Sequence, residues 1–265
     1  MILTSASPAA LLLGVAAAIA YAIPAAFASR LPEQAAKAAL TLAWALHGAM
    51  LALGMLQTSP HFGFAPALSV TAWLVLTVYA VERQLFPQMR ARWALAAFGA
   101  LAVLLALVFP GQPLHVNASG WLPLHLALGI AAYGLFAAAV VHAALMTHAE
   151  KRLRLAKDPN SGIPLLTLEQ LTFRFVTAGF VLLSATLAAG MLFSEVLYGR
   201  AWRWDHKAVF SLLSWFTFAA LLLGRSRFGW RGRTAVRVLY AGALLLLLAY
   251  AGSRFALEVV LGRAP

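Results

Sequence analysis

The sequence predicts an all-α, polytopic integral membrane protein with about eight transmembrane helices. Of its 265 residues, 63% are hydrophobic and 11% are charged, and the mean hydropathy is +0.84. Soluble domains have roughly half apolar and about a quarter charged residues. Here the charged residues are separated by long uncharged stretches, and about 20 apolar residues suffice for a helix to cross about 30 Å of hydrocarbon. These observations exclude an ordinary soluble domain, a disordered chain and a fibrous repeat.

The first five helices fall in three uncharged stretches of the chain. Met1–Ser29 holds one helix, which we expect to be retained because no basic region precedes it as in a signal peptide. Ala38–Val81 is long enough for two helices, with a turn at Gln57–Pro66 that is rich in Pro, Gly and polar residues. Trp93–Ala149 also holds two helices, which divide at Pro110–Gly120.

Three further apolar stretches complete the set of eight helices. They run from about Phe173 to Phe193, from Lys207 to Leu223 and from Val236 to Phe255. We expect the third helix of the chain to be the shortest. The eight helices form a single predicted transmembrane domain, with helices one to four in residues 1–120 and helices five to eight in residues 121–265.

The distribution of Lys and Arg predicts the orientation in the membrane. Fifteen of the 20 basic residues fall in alternate connections: Arg30, Lys37, Arg83, Arg90, Arg92, Lys151, Arg152, Arg154, Lys157, Arg174, Arg225, Arg227, Arg231, Arg233 and Arg237. The other five are Arg200, Arg203, Lys207, Arg254 and Arg263. Because cytoplasmic loops carry the excess of basic residues, both termini are predicted to lie outside the cytoplasm. The net charge of +12 therefore indicates membrane topology, and we expect no nucleic-acid partner.

Two histidines are candidates for metal ligation, and both have an ordinary structural alternative. His47 lies near the middle of helix two, roughly 13 Å below its outer end, and His125 lies about 6 Å below the outer end of helix five. These depths would let the two imidazoles approach one iron from opposite sides. Alternatively, each histidine is hydrogen-bonded between helices. We expect His142 and His148, toward the inner end of helix five, to be structural.

The densest group of polar and aromatic residues is the outer connection at residues 199–207. Trp202, Trp204 and Asp205 form a W-x-W-D pattern there. Two indoles can offer a flat apolar platform with a polar N–H on each ring. The basic residues of this connection would meet carboxylates on the same ligand; they are Arg200, Arg203 and Lys207. The alternative is an aromatic belt with basic anchors at the bilayer interface.

The order of these residues resembles the cytochrome c assembly proteins of the CcsA/CcmC type. YGRAWRWDHKAVFSLLSW resembles the tryptophan-rich segment with which that family handles haem. GWLPLHLALGIAAYG resembles the helix that begins with a haem-ligand histidine and then carries a tyrosine, at the positions of His125 and Tyr133. The resemblance covers Trp121–Leu261 well. Within the family, the chain resembles above all the HemX/YpjD-like branch, which has eight helices and no large outer domain.

The resemblance implies a bound, non-covalent b-type haem, ligated by His125 and lying against the two tryptophans. Some positions depart from the family's pattern, since Gly224 and Ala256–Glu258 stand where haem-delivering members have histidines. The second iron ligand would then be His47 or His206, or the haem would be five-coordinate. Cysteine is absent, so the chain has no disulfide, thiolate metal site, cysteine nucleophile or covalent haem attachment.

Three functional hypotheses follow. The first is a haem-handling protein of the bacterial inner membrane, which acts in or beside cytochrome c biogenesis and presents haem at the outer face. The second is a non-enzymatic accessory or regulatory protein that has kept the fold, with a role in tetrapyrrole-synthesis regulation or as the partner of an ion-efflux protein. A small-molecule transporter is the third, disfavoured because no acidic residue lies inside a helix. No self-contained catalytic constellation is present, which favours a non-enzymatic protein over the alternative of a haem-lyase-type role. The expected partners are the bilayer, cytochrome c maturation components or another membrane protein.

Overall fold

The computed structural model of the protein describes residues 8–27, 30–57, 61–85, 92–113, 121–154, 164–199 and 202–261, and it is almost entirely helical there. The helices and strands are α1 (Pro8–Ala26), α2 (Glu33–Met55), β1 (His61–Phe62), α3 (Phe64–Leu85), α4 (Arg92–Val108), β2 (Gln112–Pro113), α5 (Leu122–Arg154), α6 (Leu165–Leu192), α7 (Ser194–Tyr198), α8 (His206–Phe228) and α9 (Gly232–Leu247). The last helix continues beyond α9 through π-helical Leu248–Gly252, a turn of α-helix at Ser253–Phe255 and π-helical Ala256–Val260.

The helix lengths confirm a polytopic all-α membrane protein. Within the described ranges, seven helices are long and apolar enough to cross a bilayer, and Ala94–Val108 forms a shorter eighth apolar helix. The expectation that the third helix is the shortest of the eight was wrong. That helix, α3, has 22 residues because it begins at Phe64 and continues past Glu82 and Arg83, whereas α4 has 17.

The chain divides into two compact units. Unit 1 comprises Met1–Val116 with Leu257–Pro265, and unit 2 comprises Asn117–Ala256. In unit 1 the helices α1 to α4 pack closely where glycine faces larger side chains. A Cβ on Gly14 would lie 2.6 Å from Leu107 Cδ2 and 2.9 Å from Met50 Sδ. Small residues of this kind let membrane helices approach closely in the absence of a strong hydrophobic driving force.

Unit 2 is organised around an aromatic pair in the core between its helices. The rings of Phe136 on α5 and Phe218 on α8 are stacked with centroids 3.8 Å apart, and both side chains are buried. Glycines complete this packing, since a Cβ on Gly179 would lie 3.2 Å from the Phe136 ring and one on Gly242 would lie 2.8 Å from the Phe218 ring. The aromatic pair therefore joins α5, α6, α8 and α9 into one bundle.

The connection from α6 to α8 is shaped by two local signals. Gly199 ends α7 in the left-handed conformation at φ 65°, which glycine adopts without steric cost. Asp205 then caps α8, since its side chain accepts a hydrogen bond from the Ala208 backbone N–H at 2.9 Å. Asp is among the best N-cap residues. These two residues place the intervening tryptophans beside the beginning of α8.

Candidate functional site

A cavity opens in unit 2 where the beginning of α5, the end of α6 and the beginning of α8 meet. Its open volume is about 730 Å³, a figure that includes adjoining solvent space. The lining residues are His125, Thr186, Leu187, Gly190, Ser194, Trp202, Arg203, Asp205, Lys207, Ala208 and Ser211. The cavity thus brings together five of the eight site residues predicted from the sequence.

His125 and Trp202 lie on either side of a glycine in the cavity wall. A Cβ on Gly190 of α6 would lie 3.4 Å from His125 Cε1 and 3.6 Å from Trp202 Cζ3. Because Gly190 has no side chain, the imidazole and the indole both border the same open space. His125 is itself only partly buried, so its ring is within reach of a ligand that enters the cavity.

The two indoles of the W-x-W-D pattern have different environments. Their ring centroids are 6.1 Å apart and the ring planes are nearly perpendicular, at 89°. They therefore form an edge-to-face pair, which the aromatic quadrupole favours, and do not form the expected flat platform. Trp202 lines the cavity, whereas Trp204 is 68% exposed.

The indole N–H of Trp202 is an orphaned polar group. Its Nε1 is buried and has no hydrogen-bond acceptor among the residues that the structure describes. A buried donor without an acceptor costs free energy, and each such group in a native protein calls for an explanation. An acceptor supplied by a ligand in the cavity would satisfy it.

Two cations stand at the mouth of the cavity. Arg203 and Lys207 both line it and are both exposed. Lys207 Nζ also lies 5.5 Å from the centroid of the Tyr250 ring, at a distance typical of a cation–π contact. Arg200, the third basic residue predicted for this site, lies outside the described residues.

His47 belongs to unit 1 and is enclosed by hydrogen bonds there. Its side chain is fully buried, with Nε2 2.8 Å from Ser69 Oγ and Nδ1 3.4 Å from the Tyr21 hydroxyl. The imidazole therefore links α1, α2 and α3. To ligate iron, a ring nitrogen of His47 would have to leave one of these partners. His206, the other candidate second ligand, is the exposed first residue of α8 and is not among the lining residues.

The residue types in the cavity fit a planar, anionic metal macrocycle better than a bare metal ion. Across the described part of the chain, no three His, Asp or Glu side chains converge on one point. A metal held by His125 would therefore need further donors from its own ligand, as haem supplies. Leu187, Ala208 and Trp202 give the lining an apolar part. Together with the orphaned N–H donor and the two cations, this part suits a ring that carries carboxylates.

Several cavity residues were missed from the sequence. Gly190, Thr186 and Ser194 come from the end of α6 and its continuation, where no motif marks them. Ser211 could have been found, because it lies one helical turn after Lys207 on the same face of α8.

Known proteins resemble this chain over most of its length. Residues 6–261 match the family described as "Cytochrome C assembly protein". "Inner membrane protein YpjD" of Escherichia coli K12 is 32% identical over 168 residues, which are 62% of this chain and 63% of that protein. An "Uncharacterized 28.8 kDa protein" of Azospirillum brasilense is 31% identical over 76% of this chain and 78% of its own length.

Similarity to a protein named for cytochrome c biogenesis covers a shorter region. "Cytochrome c biogenesis protein CcsA" of Gloeobacter violaceus is 35% identical over 89 residues, which are 34% of this chain and 26% of that protein. The matched regions thus span about three fifths of the E. coli relative and about a quarter of the Gloeobacter one. No solved structure matches the chain. The match across residues 6–261 shows that the chain belongs to the cytochrome c assembly protein family.

Proposed function

We propose that this protein binds haem in the cavity of unit 2 and acts in or beside cytochrome c biogenesis. The observation that carries the proposal is the meeting of His125, Trp202 and two cations around one cavity. Each of these was a candidate from the sequence alone, and they come from two separate elements of the fold. Membership of the cytochrome c assembly protein family supports the same role.

His125 is the proposed iron ligand, because neutral imidazole is a common axial ligand of haem. The Trp202 indole would line the haem site and donate its orphaned N–H to a haem propionate. Trp204 would support Trp202 through their edge-to-face contact. Asp205 acts indirectly, since it caps α8 and so holds the loop that carries both tryptophans.

Arg203 and Lys207 are the proposed partners of the haem propionates. Guanidinium and ammonium groups form charge-assisted hydrogen bonds to carboxylates, which are about twice as strong as neutral ones. We assign Arg200 to the same set on its position in the sequence. The haem is proposed to be b-type and non-covalent, because the chain has no cysteine to form a thioether.

We propose a single protein ligand for the iron. The hydrogen bonds of His47 to Ser69 and Tyr21 give it a structural role in unit 1. At residue 224, where haem-delivering members of the family have a histidine, packing leaves no room for a side chain. A Cβ on Gly224 would lie 2.3 Å from Trp230 Cε3. A histidine at residue 224 would collide with that indole. Among the described residues, His125 would then be the one that holds the iron.

The haem site is proposed to face outward from a bacterial inner membrane. This placement rests on the fifteen-to-five division of basic residues, with Arg203 and Lys207 on the side with fewer. The E. coli relative is named an inner membrane protein. When bound, haem supplies the redox-active iron, and this chain's residues hold and orient it. Components of cytochrome c maturation are the proposed partners, and no catalytic residue is assigned.

The optical spectrum of the purified protein tests the proposal. Protein from haem-replete cells is expected to show a Soret band, and His125→Ala is expected to lose it. The expected fall in haem affinity is at least about tenfold, since even an outer-shell partner of a metal ligand is worth about 10- to 100-fold. His148→Ala is the matched control, because His148 is an exposed histidine on the same helix, α5.

The packing of Gly224 against Trp230 also favours a second candidate function. A chain that lacks the family's further histidines could serve as a non-enzymatic accessory or regulatory membrane protein. Folded wild-type protein that shows no Soret band after growth with ample haem would contradict haem binding and favour this role. An equal Soret band in His125→Ala and wild type would reject His125 as the ligand.

A further inference from the structure

A tyrosine from α5 is inserted into the hydrogen-bond ladder of the last helix. The Tyr133 hydroxyl donates to the Leu246 carbonyl at 2.5 Å, and the backbone N–H of Tyr250 is hydrogen-bonded to the same hydroxyl. In a regular α-helix the N–H of residue 250 would donate directly to the carbonyl of residue 246. The hydroxyl of Tyr133 therefore bridges the two backbone groups of this step, the Leu246 carbonyl and the Tyr250 N–H.

The helix is π-helical at this point. Leu248–Gly252 is a π-helical turn, and the backbone N–H of Ser253 reaches the Leu248 carbonyl, five residues back. A second hydroxyl compensates for this change, since Ser253 Oγ donates to the Ala249 carbonyl at 2.7 Å. Single π-helical turns are rare and occur frequently at functional sites. The hydroxyls of Tyr133 and Ser253 supply partners for backbone groups that a buried helix must satisfy.

The π-helical turn carries a side chain that reaches the beginning of α8. Tyr250 lies in the middle of the turn, and its ring lies 5.5 Å from Lys207 Nζ and 5.7 Å from the Arg254 guanidinium carbon. Lys207 is one of the two cations at the cavity mouth. Tyr250 is thus the link between the π-helical turn and the cavity.

We propose that Tyr133 is a positioning residue for the cavity. Its hydroxyl holds the π-helical turn, the turn holds Tyr250 against Lys207, and Lys207 is kept at the cavity mouth as a result. Tyr133 follows His125 on α5 by eight residues, about 12 Å along the helix. The proposed iron ligand and the proposed propionate partner are therefore both anchored by α5. The consequence for ligand binding rests on the proposed haem site.

Two measurements on purified full-length protein test this inference. The first is amide hydrogen exchange in residues 248–254 of Tyr133→Phe, in which the ring remains but the bridge is lost. Exchange there is expected to become faster than in wild type. Tyr240→Phe is the matched control, because Tyr240 is a tyrosine of α9 that is 39% exposed.

The second measurement is haem affinity in a double-mutant cycle. Tyr133→Phe is expected to weaken haem binding by roughly fivefold, the scale of one lost cation–π contact, with the Soret position unchanged because His125 is intact. Lys207→Gln should weaken binding similarly, and both variants should reduce its dependence on salt. The double variant should bind haem no more weakly than Lys207→Gln alone, because Tyr133 is proposed to act only through Lys207.

Defined results would overturn the inference. Unchanged exchange in residues 248–254 would show that the hydroxyl does not hold the π-helical turn. Additive losses in the double variant would show that Tyr133 does not act through Lys207. Tyr250→Leu, which leaves the bridge in place and removes the ring, must reproduce the loss in affinity. If wild-type protein binds no haem, the proposed function fails, and the exchange comparison alone then supports or overturns the role of Tyr133.

Discussion

Gly190 is the residue on which the open space of the cavity depends. It stands between His125 and Trp202, and a Cβ there would be in ordinary van der Waals contact with both rings. An alanine would therefore be accommodated, whereas a longer side chain would extend into the space that a ligand needs. Because glycine is about 1 kcal/mol less favourable than alanine inside a helix, neither change weakens α6 itself.

Substitutions of Gly190 are therefore predicted to have graded effects on haem binding. Gly190→Ala should retain most of the haem, and Gly190→Leu should abolish binding while the protein stays folded. Gly54→Leu is the control, because a Cβ on Gly54 has open space around it in unit 1. Haem content per protein, measured from the Soret absorbance, gives the result. Full haem content in Gly190→Leu would mean that the ligand lies elsewhere.

Individual site residues were predictable where a reactive residue type stands at its expected place in a sequence motif. His125 and Trp202 follow from a family pattern, and the structure places them at one cavity. The perpendicular arrangement of Trp202 and Trp204 was not predictable, since it depends on how the loop leaves Gly199 and enters α8. The hydrogen bonds of His47 were hidden for a similar reason, because Ser69 and Tyr21 are 22 and 26 residues away in the sequence.

At the scale of helices, a strong capping residue predicted where a helix begins, whereas the apolar pattern alone did not. The beginning of α8 was expected at Lys207 and lies at His206, because Asp205 is a strong N-cap beside an apolar run. In contrast, α6 was expected to begin at Phe173 and begins eight residues earlier, at Leu165. The charged residues Glu169 and Arg174 interrupt the apolar pattern, but Glu169 is paired with Arg225 of α8 and so remains compatible with a helix.

The π-helical turn in the last helix shows what local sequence leaves out. Nothing in the residues from Leu248 to Gly252 predicts a departure from α-helical geometry, since they are ordinary apolar and small residues. The Tyr133 hydroxyl, which we propose to hold this turn, donates to the Leu246 carbonyl and comes from 113 residues earlier in the chain than Leu246. Distortions of this kind depend on a partner from another helix and are visible only in the assembled bundle.

For the whole molecule, the charge distribution carries the proposed orientation. The absence of cysteine makes this testable, because a single introduced cysteine is then the only thiol in the protein. Val196, before α8, and Phe228, at its end, are 54% and 76% exposed. Val196 lies in α7, ahead of α8, and Phe228 is the last residue of α8, which is long and apolar enough to cross the bilayer. A reagent that cannot cross the bilayer should therefore reach only one of them.

In right-side-out membrane vesicles, the thiol of Val196→Cys is predicted to react with an impermeant maleimide. The thiol of Phe228→Cys should react only after the membrane is opened with detergent. The inverted vesicles should give the opposite pattern. Labelling of Phe228→Cys alone in right-side-out vesicles would place the haem cavity on the cytoplasmic side and contradict the proposed orientation.

The central claim is that one histidine, His125, ligates haem in the cavity of unit 2, and chemical rescue tests it most directly. Haem is titrated into purified His125→Gly with and without added imidazole, and the Soret band is recorded. The account predicts weak binding without imidazole, and recovery of both the affinity and the wild-type band position with it. Wild-type binding by His125→Gly alone, or a folded variant that imidazole fails to restore, would contradict the account.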